Sequence, residues 1–150
     1  MTDKEVFRNI MEKYMYEMTQ YYPQMMKDDG DYHYDWLDSY FSGDDSRKAF
    51  YIMNDDVVVG FALINRYSCL GNDIDHALAE FTIFPMYRNK GYGLEAVKQI
   101  FDYYPGNWEI KYSKRNEKAM NLWIKATELY ETVVTDLDED EQVRSFRVEK

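Results

Sequence analysis

The sequence predicts a single mixed α/β domain over residues 1–150. Its 150 residues are an ordinary length for one domain and can bury a sizeable core. Apolar residues make up 45% of the chain, which excludes a mainly disordered protein. Segments with helical spacing of apolar residues alternate with short apolar or alternating segments, and this order is typical of an α/β domain.

Four helices are predicted. Residues 4–20 place their apolar side chains at helical spacing, and a short helix is expected near 34–41 inside an acidic segment. A third helix covers about 92–103 and stops at the Pro-Gly that follows it. Asn116 is a good N-cap for the fourth helix.

Strands are predicted for six segments, at 49–53, 57–67, 77–84, 108–112, 129–137 and 142–149. The first two are nearly continuous in apolar residues, which suggests burial on both sheet faces. The third alternates, so that Glu80, Thr82 and Phe84 are expected on one face and Ala79, Phe81 and Ile83 on the other.

Charge and cysteine content narrow the function classes. Lys and Arg total 18 against 28 Asp and Glu, a net charge of -10, which argues against nucleic acid or an anionic membrane as partner. Cys69 is the only cysteine, so a reducing compartment is expected. His33 and His76 are the only histidines, and no metal site is expected.

With no secretory or membrane-spanning segment apparent, we expect a cytoplasmic protein, as a monomer or homodimer.

The segment FPMYRNKGYG, residues 84–93, places two cations and two glycines at a strand-to-helix turn. The first amides of a helix lack intrahelical partners and attract anions, and glycines let a diphosphate approach the backbone. The same residues also suit an ordinary turn with solubilising surface cations. On this segment alone both interpretations stay open.

Two motifs together carry a family resemblance. The first is R/Q-x-x-G-x-G/A, here Arg88 to Gly93, after a strand that ends at Pro85. The second is N-x-x-A-x-x-L-aromatic, which begins at Asn116 and ends at Trp123. With both motifs at the family spacing, the sequence resembles the GNAT superfamily of acyl-CoA N-acyltransferases, and most closely a little-characterised bacterial branch of predicted acetyltransferases.

This resemblance implies a GNAT-like fold, with a central, mixed but mostly antiparallel sheet whose middle strands splay apart and are flanked by helices. It also implies acetyl-CoA as co-substrate, with the cofactor lying in the gap between those strands. The implied cofactor-binding residues are Phe81, Thr82 and Ile83 for the pantetheine arm, Arg88, Asn89, Lys90, Gly91, Tyr92 and Gly93 for the pyrophosphate, and Asn116, Ala119 and Trp123 near pantetheine and the thioester.

A protonated amine must lose a proton before it attacks a thioester, so a base is needed. The resemblance implies Glu80 as the first candidate and Glu109 as the second. Many relatives carry a tyrosine as general acid where this chain has Trp123, whose indole cannot supply a proton. Tyr92, Tyr112, Tyr130, water or the incoming ammonium are the alternatives.

The expected function is therefore transfer of an acetyl group from acetyl-CoA directly to a primary amine of a small molecule or peptide. The acidic segment Asp28 to Asp45 suggests a small cationic acceptor, although it also suits a solvated surface. The alternative function is a non-catalytic CoA-binding sensor or pseudo-enzyme, because the usual tyrosine is replaced.

Overall fold

The computed structural model describes all residues, Met1–Lys150. Contacts between Cα atoms group the chain into two compact units, Met1–Asp45 and Ser46–Lys150. The prediction of one domain over 1–150 stays a prediction.

The first unit contains helix α1, Asp3–Met18, and a 3₁₀ turn at Leu37–Phe41. Thr2 caps α1 in a capping box with Glu5, which satisfies amides that the first turn leaves without partners. The rings of Phe7 and Phe41 meet edge to face, with centroids 5.6 Å apart, and join the 3₁₀ turn to α1. The short helix predicted near 34–41 is thus a shorter 3₁₀ turn.

The second unit is built on six strands: β1 Lys48–Asn54, β2 Val57–Asn65, β3 His76–Ile83, β4 Gly106–Ser113, β5 Thr132–Asp136 and β6 Glu141–Val148. They form one sheet in the order β1-β2-β3-β4-β6-β5. Only β3 and β4 pair in parallel, and every other neighbouring pair is antiparallel. The predicted mixed, mostly antiparallel sheet is confirmed.

The middle of the sheet is incompletely paired. The register between β3 and β4 covers only His76↔Trp108, Ala77↔Glu109 and Leu78↔Ile110. Beyond Leu78 the two strands separate, which confirms the predicted splay. The register of β3 against β2 shifts at the same place, since Leu63 lies opposite Glu80 and Ile64 opposite Leu78. Ala79 is therefore the extra residue of a β-bulge, which bends the strand where its pairing with β4 stops.

Because of the bulge, β3 departs from strict alternation. Leu78 and Phe81 both pack into the same core cluster, although they are three residues apart. Glu80 and Thr82 lie opposite Leu63 and Phe61 and still share a face, as predicted. The bulge interrupts the strict alternation on which the predicted grouping of Ala79 with Phe81 and Ile83 relied, and that grouping stays a prediction.

Helices α2, Tyr92–Tyr103, and α3, Glu117–Ala126, follow β3 and β4 and begin where the sequence predicts. The core cluster brings their apolar sides together with one face of the sheet, through Val97 and Phe101 of α2, Trp123 of α3 and Trp108 of β4. No helix is both long enough and apolar enough to cross a membrane.

Burial on both faces was predicted for the first two strands and is right for only one of them. In β2, residues 59–64 are buried without interruption. In β1, no residue is fully buried. The reason is position in the sheet: β1 is an edge strand, whereas β2 is flanked by β1 and β3.

The centre of this core supplies a stability prediction. The Phe101 ring is 1% exposed and contacts the rings of Trp108, Tyr130 and Phe146. We expect Phe101→Ala to lower the free energy of unfolding by about 3–5 kcal/mol, because it leaves a cavity among aromatic rings. Lys98→Ala, on an exposed position of the same helix, should change it by less than ~0.5 kcal/mol in the same urea titration. Equal effects of the two substitutions would contradict the central position of Phe101 in the core.

Candidate active site

The segment between β3 and α2 forms a tight turn with two left-handed residues. Pro85–Tyr87 is a 3₁₀ turn, and Arg88 is extended. Asn89 has φ 63° and Gly91 has φ 85°, a conformation that Asn and Gly adopt more easily than other residues. Gly91 is the N-cap of α2, and no side chain caps this helix.

At this turn, the first backbone amides of α2 lie close to open space at Gly91. The first intrahelical hydrogen bond of α2 runs from the Glu95 amide to the Gly91 carbonyl, so the amides of residues 92–94 precede it. A Cβ on Gly91 would meet no atom within 4 Å. A Cβ on Gly93 would instead lie 3.5 Å from the side chains of Ile83 and Leu122. Gly91 therefore faces open space, whereas a Cβ on Gly93 would make ordinary van der Waals contact with side chains of β3 and α3.

The free edge of β3 lies next to this turn. Thr82 directs its carbonyl toward β2, where a Cβ on Gly60 would collide with that oxygen, and the Phe84 amide donates to the Val59 carbonyl. Backbone groups alternate along a strand, so those of Phe81 and Ile83 point the other way, into the gap beside β4. Of the three residues predicted to pair with pantetheine, Thr82 has its backbone turned away from the gap.

Arg88 reaches back to the end of β3. Its Nε donates to the Ile83 carbonyl at 2.7 Å, and its Nη2 donates to the Thr82 hydroxyl at 3.2 Å. Thr82 Oγ1 in turn lies 3.2 Å from the Ile83 carbonyl, to which it donates. Lys90, the other cation of the turn, is exposed. The two cations that the sequence presents as alike thus have different surroundings.

The second motif lies on α3. Asn116 accepts the Ala119 amide at 3.2 Å and is the N-cap that its sequence predicts. Ala119 is half-buried against the core cluster, and Trp123 is buried within it. The indole of Trp123 meets the Phe81 ring edge to face, with centroids 5.2 Å apart. Of the predicted residues of this motif, Trp123 is therefore brought next to β3, on the helix-covered face of the sheet.

The two candidate bases have different environments. Glu80 is half-buried on β3, directly after the bulge and beyond the last pair with β4. Glu109 is 2% exposed, and its carboxylate accepts the Ser68 hydroxyl at 2.5 Å and the Cys69 amide at 2.9 Å. Ser68 Oγ also accepts the amides of Leu70 and Asn72. Glu109 thereby holds the loop between β2 and β3, while Glu80 borders the gap.

Two of the three alternative tyrosines, Tyr92 and Tyr112, have hydroxyls that are hydrogen-bonded to residues outside the gap. Tyr92 accepts a hydrogen bond from Asn54, the last residue of β1. Tyr112 donates to Gln142 of β6, on the side of β4 away from β3. The ring of Tyr130 stacks on Phe146, and burial raises the pKa of its phenol.

The acidic segment belongs to the first unit, where Glu12 accepts the amides of Tyr32 and His33. The side chains of Asp29, Asp31 and His33 are exposed and lie within 4.8 Å of one another. A hydrogen bond to the Asp29 carboxylate raises the pKa of the His33 imidazole. Sequence spacing did not predict this grouping, in which His33 has a positive φ.

Sequence reasoning also missed the contacts of Glu109 with Ser68 and Cys69. These residues are about forty positions apart in the chain, and no motif connects them. Only the parallel register of β3 with β4 brings the loop that precedes β3 beside Glu109.

Solved structures show the same fold. A GNAT-family protein of Desulfovibrio desulfuricans is 12% identical, with a TM-score of 0.63, covering 98% of this chain and 93% of its own. Spermidine N-acetyltransferase of Vibrio cholerae, in complex with CoA and spermine, is 13% identical, with a TM-score of 0.61 and coverage of 96% and 88%. The Campylobacter jejuni N-acetyltransferase PseH, in complex with acetyl coenzyme A, is 18% identical, with a TM-score of 0.58 and coverage of 76% of each chain.

Among curated proteins, none matches this sequence. The family profile described as "Acetyltransferase (GNAT) family" matches residues 7–132, a range that includes the turn at Arg88 to Gly93 and the motif that begins at Asn116. The chain therefore belongs to the GNAT family of acetyltransferases.

Proposed function

We propose that this protein is an N-acetyltransferase that moves an acetyl group from acetyl-CoA directly to a primary amine. The observation that carries the proposal is the gap beyond Leu78 and Ile110, where β3 keeps a free edge that leads to the uncapped N-terminus of α2. An extended arm can pair with such an edge as an added strand, and a diphosphate suits a helix N-terminus.

The residues at the gap fit two parts of CoA, the pantetheine arm and the diphosphate. Phe81 and Ile83 offer backbone groups to a pantetheine arm, because those groups point away from β2. Gly91 and the amides at the start of α2 suit a diphosphate, since Gly91 leaves space for it and the helix dipole favours negative charge. Lys90 adds an exposed positive charge in a chain whose net charge is -10.

Bound acetyl-CoA would supply an acetyl thioester, whose carbonyl carbon bonds to the amine nitrogen as its bond to sulfur breaks. Glu80 is the proposed base that accepts a proton lost by the amine, because this residue is half-buried and lies on β3 beyond the last pair with β4. Glu109 is proposed to position the β2–β3 loop instead, since its oxygens accept hydrogen bonds from Ser68 and Cys69. The departing thiolate takes its proton from water or takes the second proton that the amine nitrogen loses as the amide forms.

The acceptor class is proposed to be a small cationic amine. An acidic protein attracts cations over long range, and this attraction weakens with salt. The Vibrio cholerae spermidine N-acetyltransferase, which has the same fold, was crystallised with spermine. A polyamine is therefore the first acceptor to test, followed by aminoglycosides and peptides with a free lysine or N-terminus.

A thiol-release screen tests the function as a whole. Incubation with acetyl-CoA and each amine class should release free CoA thiol above the rate without acceptor, and mass spectrometry should find one added acetyl group on the amine. Saturable acetyl-CoA binding without release for any amine would contradict the enzyme and favour the sensor. The absence of acetyl-CoA binding would reject both functions.

The diphosphate position can be tested at Gly91. Gly91→Glu and Gly91→Gln impose the same strain at a positive φ, but only glutamate adds a negative charge to the open space. We expect Gly91→Glu to weaken acetyl-CoA binding by about ten-fold more than Gly91→Gln, a difference of about 1.4 kcal/mol. Calorimetry measures both affinities, and thermal melting checks that the variants unfold alike. Equal affinities would place the diphosphate elsewhere.

The two glutamates can be distinguished by a matched pair of substitutions. Glu80→Gln should reduce kcat about a hundred-fold near neutral pH and leave acetyl-CoA affinity unchanged, because only the proton acceptor is lost. Glu109→Gln should retain the pH profile of kcat/KM but lower the free energy of unfolding by about 1–3 kcal/mol, because the amide group turns a donor toward the donors of Ser68 and Cys69. The reverse pattern would make Glu109 the base.

A further inference from the structure

The two cations of the 84–93 turn differ in what their side chains contact. Arg88 is half-buried, and its guanidinium uses Nε and Nη2 to bind the Ile83 carbonyl and the Thr82 hydroxyl. Nε and Nη2 form one of the edges through which arginine grips a carboxylate or phosphate with two parallel hydrogen bonds. Here the protein's own strand end occupies that edge.

The carbonyl that Arg88 binds belongs to the free edge of β3. Because Thr82 turns its carbonyl toward β2, the Ile83 carbonyl faces the gap, where an added strand would seek acceptors. Arg88 therefore removes one acceptor from the edge and leaves the Phe81 carbonyl and the Ile83 amide. An arm pairing along β3 must leave the strand at Ile83, next to the N-cap of α2.

The same contact stabilises the turn. Arg88 lies five residues after Ile83, so its side chain closes a loop around the 3₁₀ turn at Pro85–Tyr87. Within this loop the Tyr87 amide donates to the Phe84 carbonyl and the Arg88 amide to the Pro85 carbonyl. The turn that joins the edge of β3 to the N-terminus of α2 is thus held by the Arg88 guanidinium together with these two backbone hydrogen bonds.

We propose that Arg88 is a positioning residue of the cofactor site, which fixes the end of the pantetheine edge and the turn that follows it, and that it is not a ligand of the diphosphate. This inference rests on the proposed function. Lys90, exposed on the same turn, is the cation left to face a phosphate.

Two ligands distinguish a positioning role of Arg88 from a role in binding phosphate. They are acetyl-CoA and acetyl-pantetheine, which carries the thioester arm but no phosphate. Arg88→Met should weaken binding of both by the same factor, about ten-fold, as expected for loss of a charged hydrogen-bonding group. Lys90→Met, the matched control, should weaken acetyl-CoA alone and reduce the salt dependence of its Kd. If Arg88→Met weakens acetyl-CoA and spares acetyl-pantetheine, Arg88 contacts phosphate and the proposal is overturned.

Arg88→Lys keeps the charge without the planar pair of donors. It should behave like Arg88→Met for both ligands, whereas near wild-type affinity for acetyl-CoA would show that charge alone is needed and would overturn the proposal.

A measurement without ligand keeps this proposal separate from the proposed function. Hydrogen exchange at the amides of Tyr87 and Arg88 should be faster in the Arg88→Met protein and unchanged in the Lys90→Met protein, because only Arg88 closes the turn. Unchanged exchange in both variants would overturn the positioning role. Failure of the wild-type chain to bind acetyl-CoA would reject the proposed function, and the exchange result would still decide whether Arg88 holds the turn.

Discussion

The parallel pairing of β3 with β4 stops after Leu78, and the rest of the candidate site depends on that limit. Two continuously paired strands would present no free edge in the middle of a sheet. The bulge at Ala79 bends β3 at the last pair, and the crossover through α2 returns the chain to β4 on the other side of the gap. An unpaired strand edge normally invites unwanted pairing with another chain. Here the unpaired part of β3 lies between two strands of the same sheet, β2 and β4.

Charge at the turn is arranged by contact as well as by composition. The chain carries ten more negative than positive charges, yet two cations flank Asn89 at the start of α2. Arg88 is directed inward to the Ile83 carbonyl, and Lys90 is directed to solvent. One cation therefore shapes the backbone, and the other contributes to the potential that an anion meets. A motif that counts both as basic residues does not distinguish these effects.

Glu80 and Glu109 show how tertiary contacts separate residues that look equivalent in sequence. Each is a carboxylate within one of the two middle strands of the sheet. The carboxylate of Glu109 is fully buried and accepts the hydroxyl of Ser68 and the amide of Cys69 from a loop forty residues earlier. Burial of a carboxylate is costly unless donors compensate it, so the loop and Glu109 stabilise each other. Glu80 lies beyond the last strand pair, where β3 borders the gap.

The sequence by itself determined the number of strands, their order along the chain, the starts of α2 and α3, and the two motifs. These features follow from local periodicity, capping and turn residues. Relatives that share the fold are only 12–18% identical, which agrees with local signals being sufficient. Only the tertiary structure decided where β3 bulges, which strand lies at the edge, how Trp123 packs on Phe81, and which of two cations faces inward. The physical reason is that these features arise from hydrogen bonds and packing between residues distant in the chain, which no local pattern encodes.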